Sequence, residues 1–124
     1  KVLLHPTMAR QSGEMQNASF STAARLHDAG IPFALQSGFE SYVPKTRVVL
    51  WEAAIAAANG LGWQNAFASI TIDAASLLGV DDSLGSIEVG KDGDLALFDG
   101  DPFEYTSHVV AVVIDGSVVN EGSQ

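Results

Sequence analysis

Two short apolar runs flank an amphipathic stretch at the start of the chain. Val2–Leu4 contains no polar position and ends at His5, and a second apolar run covers residues 31–35. Between these runs, residues 20–26 place their apolar side chains on roughly one helical face, and Gly30 ends the stretch. A strand, a helix and a strand in this order predict a βαβ unit with parallel strands. Because neither run alternates, we expect both strands to be buried on both faces.

Helical patterns follow the second predicted strand. A loop over residues 39–43 precedes an Ala-rich helix over residues 48–60, which Gly60 ends. Two shorter helices are predicted over about residues 64–70 and 71–78. This part of the chain therefore has an α/β character.

The pattern changes after residue 80, where short β-type runs alternate with glycines. The predicted strands of this part are Ile87–Val89, Leu95–Phe98, Val109–Ile114 and Val118-Val119. Asp115-Gly116 lies between two Val-rich runs and predicts a hairpin with a type I′ turn. The chain is thus expected to divide into an α/β part, residues 1–80, and a small all-β part, residues 81–124.

Composition excludes some kinds of site. The chain has no Cys, so disulfides and thiolate sites are excluded, and cysteine usage does not distinguish a cytoplasmic from a periplasmic or secreted location. No apolar run approaches the roughly 18 residues that a membrane span needs, so no membrane association is expected. Trp51 and Trp63 are expected to pack in the core.

The charge is distributed unevenly along the chain. The net charge is −9: residues 1–72 sum to +1 and residues 73–124 sum to −10, with Lys91 as the only Lys or Arg in the second range. An acidic surface repels a phosphate backbone, so nucleic-acid binding is not expected. A solvated acidic face explains this charge, and a cation or a basic partner is the alternative.

The second half carries a specific run of motifs. Ile70–Gly79 ends in Leu-Leu-Gly, Leu84–Pro102 contains Gly-Ser-Ile and Gly-Lys-Asp-Gly-Asp-Leu, and Val112–Val119 contains Ile-Asp-Gly-Ser-Val. Their order and spacing closely resemble the C-terminal signature of the amidohydrolase superfamily, especially its imidazolonepropionase-like branch. Gly93 stands where that family usually has Ala. Several elements match together, so the resemblance is specific.

The resemblance implies a fold of the α/β class. Residues 30–35 resemble the last strand of the family's (β/α)8 barrel, and residues 48–61 resemble the helix that follows it. Residues 1–80 would then be the last two β/α units of a TIM-like barrel, with strands seven and eight. Residues 81–124 would be the C-terminal strands of the family's small β-sandwich. The expected partners are the missing N-terminal barrel portion or a second copy in a homo-oligomer, because a partial barrel leaves strand edges uncovered.

The resemblance also implies hydrolysis assisted by zinc or another divalent metal, which activates a bound water and polarises the scissile carbonyl. The family's last strand ends in a small residue, Ser or Thr, and a metal-binding Asp. Here the corresponding residues are Gln36, Ser37 and Gly38, so no metal ligand is expected at that position. The candidate catalytic residues are Glu40, which could act from the adjoining loop, and His5, for which a structural role is the alternative.

Substrate binding is expected at the same end of the strands. Arg10 and Lys45 are predicted to lie in loops there, and either could pair with a substrate carboxylate. A solvated loop charge is the alternative for both. Gln36 and Ser37 are the other candidates for contacts to a small-molecule substrate.

Three functional hypotheses are compatible with these patterns. The first is a segment of a metal-dependent amidohydrolase that acts on non-peptide C–N bonds, in amides or cyclic amides, and that is inactive alone. The second is a non-catalytic relative, which Gly38 favours. The third is a structural or oligomerisation fragment, which the uncovered edges of a partial barrel favour.

Overall fold

Helices and parallel strands occupy the first part of the chain, and antiparallel strands occupy the second. The computed structural model describes residues 1–5, 13, 16–40, 43–44 and 48–121. The strands are β1 (Val2–Leu4), β2 (Phe33–Leu35), β3 (Phe39–Glu40), β4 (Val43–Pro44), β5 (Leu95–Phe98), β6 (Val109–Ile114) and β7 (Ser117–Glu121). The helices are α1 (Thr22–Asp28), α2 (Val49–Ala56), α3 (Trp63–Ser69) and α4 (Ile72–Leu78), and a π-helical turn, Ala57–Leu61, follows α2.

The predicted βαβ unit is confirmed. Strands β1 and β2 are parallel, and their register pairs Val2 with Phe33, Leu3 with Ala34 and Leu4 with Leu35. Helix α1 connects them and contacts β2. This register places the residues that follow each strand side by side at one edge.

Gly30 ends helix α1 as the sequence predicts. Its φ of 64° is left-handed, a conformation that glycine adopts without the cost of a Cβ clash. The Gly30 N–H donates to the His27 carbonyl at 2.9 Å, and the Ile31 N–H donates to the Leu26 carbonyl at 3.0 Å. These two bonds form a Schellman motif, which satisfies carbonyls at the helix end and turns the chain into β2.

The expectation that both parallel strands are buried on both faces holds for β2 and is wrong for β1. All three residues of β2 are buried, whereas Leu3 of β1 is 55% exposed. Helices α1 to α4 all contact β2. Among the strands that the structure describes, β1 pairs with β2 alone, and no other described strand extends the sheet beyond Leu3.

Small side chains allow the helices to approach β2 closely. The buried apolar cluster consists of Ala23, Phe33, Leu35, Ala53, Ala56, Leu61 and Ala66. The helix predicted over residues 48–60 bends near its end, because Asn59 and Gly60 have non-helical backbone angles and the φ of Gly60 is 105°. The Asn59 side-chain amide donates to the Ile55 carbonyl at 2.8 Å and so satisfies one of the carbonyls released there.

The β part is a three-stranded antiparallel sheet in the order β5-β6-β7. Asp115 and Gly116 have φ angles of 52° and 73°, so both central residues of the β6–β7 turn are left-handed. This confirms the predicted type I′ hairpin. The strand predicted at Ile87–Val89 is wrong: this segment is irregular, its two aliphatic ends are exposed, and no described strand pairs with it.

The two tryptophans do not lie in the core. Trp51 is 56% exposed and meets Tyr105 edge-on, with ring centroids 6.4 Å apart. Trp63 is 42% exposed and stacks on Phe67 at 5.0 Å. Trp63 also contacts Phe103 of the β part, with centroids 5.5 Å apart. Both rings therefore lie where helices meet the β part, which explains their partial exposure.

Direct contacts join the two parts across residue 80. A Cβ placed on Gly85 would lie 2.7 Å from the Ala75 Cβ and 2.9 Å from the Ile72 Cα, so this turn touches α4 without a side chain between them. The Trp63 indole N–H donates to both carboxylate oxygens of Asp101 at 3.0 Å. Among the helices that the structure describes, none combines the length and the apolar character that a membrane crossing requires.

Candidate functional site

His5 and Gln36 meet at the carboxyl ends of the two parallel strands. Because Leu4 is in register with Leu35, His5 and Gln36 leave the sheet at the same edge. The Gln36 backbone N–H donates to the Leu4 carbonyl at 3.4 Å, which extends the ladder by one step. The side chains also touch, since Gln36 Nε2 lies 3.5 Å from His5 Nδ1.

This contact fits one tautomer of the imidazole. A glutamine amide nitrogen only donates hydrogen bonds, so Nδ1 of His5 must act as the acceptor. A neutral imidazole that accepts at Nδ1 carries its proton on Nε2. The tautomer that fits this contact presents an Nε2–H donor at the strand edge. Residues at the carboxyl ends of parallel strands occupy the edge where α/β folds bind their ligands.

Ser37 and Gly38 continue from Gln36, and all three residues are half-buried. Gly38 has a φ of 71°, a left-handed conformation that costs other L-residues roughly 1–2 kcal/mol. At this position the chain therefore lacks a carboxylate and also has a backbone conformation that favours glycine. The sequence shows that the carboxylate is missing, but it contains no direct signal for the left-handed backbone.

A short hairpin replaces the loop predicted at residues 39–43. Strands β3 and β4 pair antiparallel, with Glu40 opposite Val43. Glu40 lies two residues beyond Gly38, and its backbone belongs to β3. Its side chain is not among those that the structure describes. Arg10 and Lys45 also lie outside the described residues. Of the predicted site residues, the structure brings together His5 and Gln36 and places Ser37 directly after them.

The described side chains do not form a metal site by themselves. Among the side chains that the structure describes, no group of three or more His, Asp or Glu is placed to hold an ion. His27 lies on α1 and contacts Asn65, with Nε2 and Nδ2 3.3 Å apart, and His108 lies beside Asp99 in the β part. Both have other partners, and neither belongs to a described metal-binding group with His5.

Glu52 is a residue that the sequence interpretation missed. It lies in α2, which packs on β2, and only 2% of it is exposed. A carboxylate is stable at such a depth only with partners, and Glu52 has an interaction within the protein. The sequence signal is a single acidic residue in the otherwise apolar run from Val48 to Ala58.

The acidic residues of the β part form local hydrogen bonds. The His108 backbone N–H donates to Asp99 at 2.7 Å and holds the pKa of that carboxyl below its usual value, with a further contribution from the His108 ring. The Phe103 backbone N–H, at 2.9 Å, and then the Trp63 indole lower the pKa of Asp101 in the same way. These carboxylates stabilise turns and the contact between the two parts.

Lys91 also forms local contacts in the β part, with Ser86 and Glu88. Its Nζ donates to the Ser86 hydroxyl at 2.6 Å, and that hydroxyl donates to Glu88 Oε1 at 2.5 Å. The Ser86 hydrogen bond, followed by the charge of Lys91, lowers the pKa of Glu88. The only Lys or Arg of residues 73–124 is thus held within a turn.

A separate apolar groove of about 710 Å³ lies between the helices and the β part. Trp63 and Phe67 line its helical side, and Leu95 and Phe98 line its strand side. His5 and Gln36 are not among the lining residues. The groove and the contact between His5 and Gln36 are therefore distinct features of the molecule.

Comparison with known proteins gives consistent matches. The model of the amidohydrolase family matches residues 3–120. The amidohydrolase tasK of Hapsidospora irregularis is 34% identical over 97 residues, which is 78% of this chain and 10% of that protein. An imidazolonepropionase of Fusobacterium nucleatum subsp. nucleatum is 29% identical over 104 residues, which is 83% of this chain and 25% of that protein.

Comparison with solved structures also finds similar proteins. An amidohydrolase from Thermotoga maritima MSB8 superposes with a TM-score of 0.86 at 30% identity, over 97% of this chain and 31% of that chain. A Xaa-Pro dipeptidase with bound methionine in the active site superposes with a TM-score of 0.69 at 31% identity, over 88% of this chain and 27% of that chain. The chain thus spans between about a tenth and a third of the length of these relatives.

Proposed function

The chain belongs to the amidohydrolase family, and we propose that it is part of a hydrolase that cleaves C–N bonds other than standard peptide bonds, in amides or cyclic amides. The observation that carries the proposal is the family match over residues 3–120. The relatives named amidohydrolase and imidazolonepropionase support the same reaction class.

In this proposal, residues 1–80 supply two adjoining β/α units, strands seven and eight of a (β/α)8 barrel. The parallel pairing of β1 with β2 and the helices packed on β2 support this assignment. Residues 81–124 supply the C-terminal strands of a β-sandwich, which the antiparallel order β5-β6-β7 supports. The remainder of the barrel covers the outward face of β1, where Leu3 is exposed.

The proposed substrate-binding edge is the one that carries His5 and Gln36. Ser37 belongs to the same edge and Glu40 follows it in β3, and we propose Arg10 as a further contact to the substrate. The family's zinc or other divalent metal would activate the attacking water. In this proposal its ligands lie outside the part of the chain that the structure describes, where no group of His, Asp and Glu is placed to hold an ion. The chain alone is then inactive.

Two rival functions each have an observation in their favour. The left-handed glycine at position 38 favours a non-catalytic relative that retains the fold without the metal site. The exposed Leu3 and the edge strand β7 favour a structural fragment that pairs with a second copy, because unpaired strand edges recruit further strands. Partner and oligomeric state distinguish this third function from the other two.

The test compares the purified 124-residue chain with a complete polypeptide that contains it. We expect the complete protein to hydrolyse members of a panel of amides and lactams and to lose that activity with a chelator. We expect the chain alone to bind no stoichiometric metal and to show no turnover. Chelator-sensitive turnover by the chain alone would contradict the proposed division of the site. A metal-free, inactive complete protein would favour the non-catalytic function.

The same preparations test the structural alternative. Light scattering of the chain gives its mass in solution, and a dimer without metal favours the structural fragment. The variant His5→Gln in the complete protein tests the role of the imidazole, because glutamine retains hydrogen-bonding capacity without the ring. Under the hydrolase proposal, this variant lowers activity without changing the thermal unfolding midpoint.

A further inference from the structure

We propose that His5 and Gln36 form an amide-recognition pair that selects substrates with an N–H on the amide nitrogen. The inference rests on the proposed hydrolase function and adds a substrate class to it. The class is secondary amides and lactams with a free N–H. Tertiary amides, including Xaa-Pro bonds, are disfavoured.

The first step is the placement of the pair. The register of β1 and β2 puts His5 and Gln36 on neighbouring strand ends, and the backbone bond from Gln36 to Leu4, at 3.4 Å, holds that alignment. His5 is exposed and Gln36 is half-buried. Both side chains are thus anchored on strands and accessible at the edge where α/β folds bind ligands.

The second step is the hydrogen-bonding capacity that remains. Gln36 Nε2 uses a donor on His5 Nδ1, at 3.5 Å, which leaves the imidazole with an Nε2–H donor and the amide with its Oε1 acceptor. In the part of the chain that the structure describes, neither atom has a protein partner. One donor and one acceptor are therefore presented together by two side chains that are bonded to each other.

The third step is the ligand that this pair fits. A secondary amide offers a carbonyl that accepts from His5 and an N–H that donates to Gln36. A tertiary amide such as an Xaa-Pro bond has no N–H and leaves the glutamine oxygen unpaired. One neutral hydrogen bond of this kind corresponds to about a three- to tenfold difference in affinity. The pair thus acts as a specificity determinant for the amide nitrogen.

The first measurement is the tautomer of His5 in the 124-residue chain, read from long-range ¹H–¹⁵N correlations at a pH where His is neutral. We expect the proton on Nε2. Gln36→Leu removes the donor and weakens this preference, whereas Gln36→Glu replaces the donor by a carboxylate and moves the proton to Nδ1. His27, which has a different amide neighbour, is the internal reference. An unchanged His5 tautomer in both variants overturns the pair.

The second measurement uses two small lactams. 2-Pyrrolidinone carries an N–H, and N-methyl-2-pyrrolidinone has the same ring without it. We expect the first to shift the His5 ring and Gln36 side-chain resonances with about three- to tenfold higher affinity than the second, and Gln36→Leu to remove the difference. Equal responses, or no response to either lactam, overturn the proposal.

Activity of the complete protein separates this inference from the function on which it rests. Hydrolysis of secondary and tertiary amides at equal efficiency would retain the hydrolase function and overturn the pair. A correct tautomer and N–H selectivity in a protein that hydrolyses nothing would retain the pair and overturn the hydrolase function.

Discussion

At Gly85 the β part closely approaches helix α4, and Gly85→Ala tests whether this approach stabilises the fold. A Cβ at this position would lie 2.7 Å from the Ala75 Cβ, 2.9 Å from the Ile72 Cα and 3.1 Å from the Thr71 carbonyl oxygen. Two of these three atoms belong to the backbone, so rotation of a side chain cannot relieve the overlap. The turn or the helix must move.

Two costs add at this position. Gly85 has a φ of 92°, and a left-handed conformation costs an L-residue about 1–2 kcal/mol. Overpacking in a closely packed region costs about 1–3 kcal/mol. The expected loss of unfolding free energy is therefore about 2–5 kcal/mol, a large share of the roughly 5–15 kcal/mol typical of a domain.

Gly90→Ala is the matched control. Gly90 has a φ of 96°, and nothing lies within 4 Å of the position that its added methyl group would take, so only the backbone cost of about 1–2 kcal/mol applies. Urea unfolding of both variants, followed by circular dichroism, gives the two free energies from their midpoints and slopes. Equal destabilisation of the two variants would refute the conclusion that close packing against α4 holds the two parts together.

Two further predictions concern Asp101 and Gly38. The pKa of Asp101 is lowered from 3.8, so its contribution to stability is complete above that value and is lost as the pH falls through the lower pKa of the folded state. The Trp63 indole N–H resonance should therefore titrate below pH 3.8, and should not titrate there in Asp101→Asn; a midpoint at or above the ordinary value contradicts the assignment. At Gly38, with its φ of 71°, both Gly38→Ala and Gly38→Asp should lower the unfolding free energy by about 1–2 kcal/mol. Gly38→Asp should still leave the chain without stoichiometric zinc by elemental analysis, and one bound zinc per chain would show that the described residues need only this carboxylate.

The elements that the sequence predicted well are those set by local signals. Gly30 identifies the end of α1, and Asp115-Gly116 identifies the β6–β7 turn, because left-handed backbone at these positions favours few residue types. Apolar runs on both sides of a helix were sufficient for the parallel pairing of β1 with β2. The family motifs also assigned residues 81–124 to a β-sandwich, and that assignment stays a prediction.

The wrong predictions share a different cause. Burial of Leu3, Trp51 and Trp63, and strand structure at Ile87–Val89, all depend on neighbours distant in the sequence. An apolar residue indicates that a surface can be covered, but not by which segment. Trp63 is informative in this respect, because its ring packs on Phe67 while its N–H reaches a carboxylate of the β part. A sequence pattern assigns no such partner.

The candidate site was predictable in part. The neighbouring positions of His5 and Gln36 follow from strand register, which the βαβ pattern implies. The hydrogen bond between the two side chains, and the tautomer that fits it, cannot be predicted from the sequence and are seen only in the three-dimensional structure. The roles of Glu40 and Arg10 stay predictions. The left-handed backbone at Gly38 had no sequence signal, because a missing Asp is compatible with many conformations.

The Schellman turn at Gly30 has a consequence for how this edge can vary. It stops α1 at a definite residue, and six residues later the chain delivers Gln36 beside His5. One inserted residue in this stretch would advance β2 by about 3.3 Å and turn Gln36 to the opposite face of the sheet. The number of residues between the helix stop and the strand end is therefore constrained more tightly than their identity. Substitutions between Gly30 and Gln36 are therefore easier to accommodate than insertions or deletions.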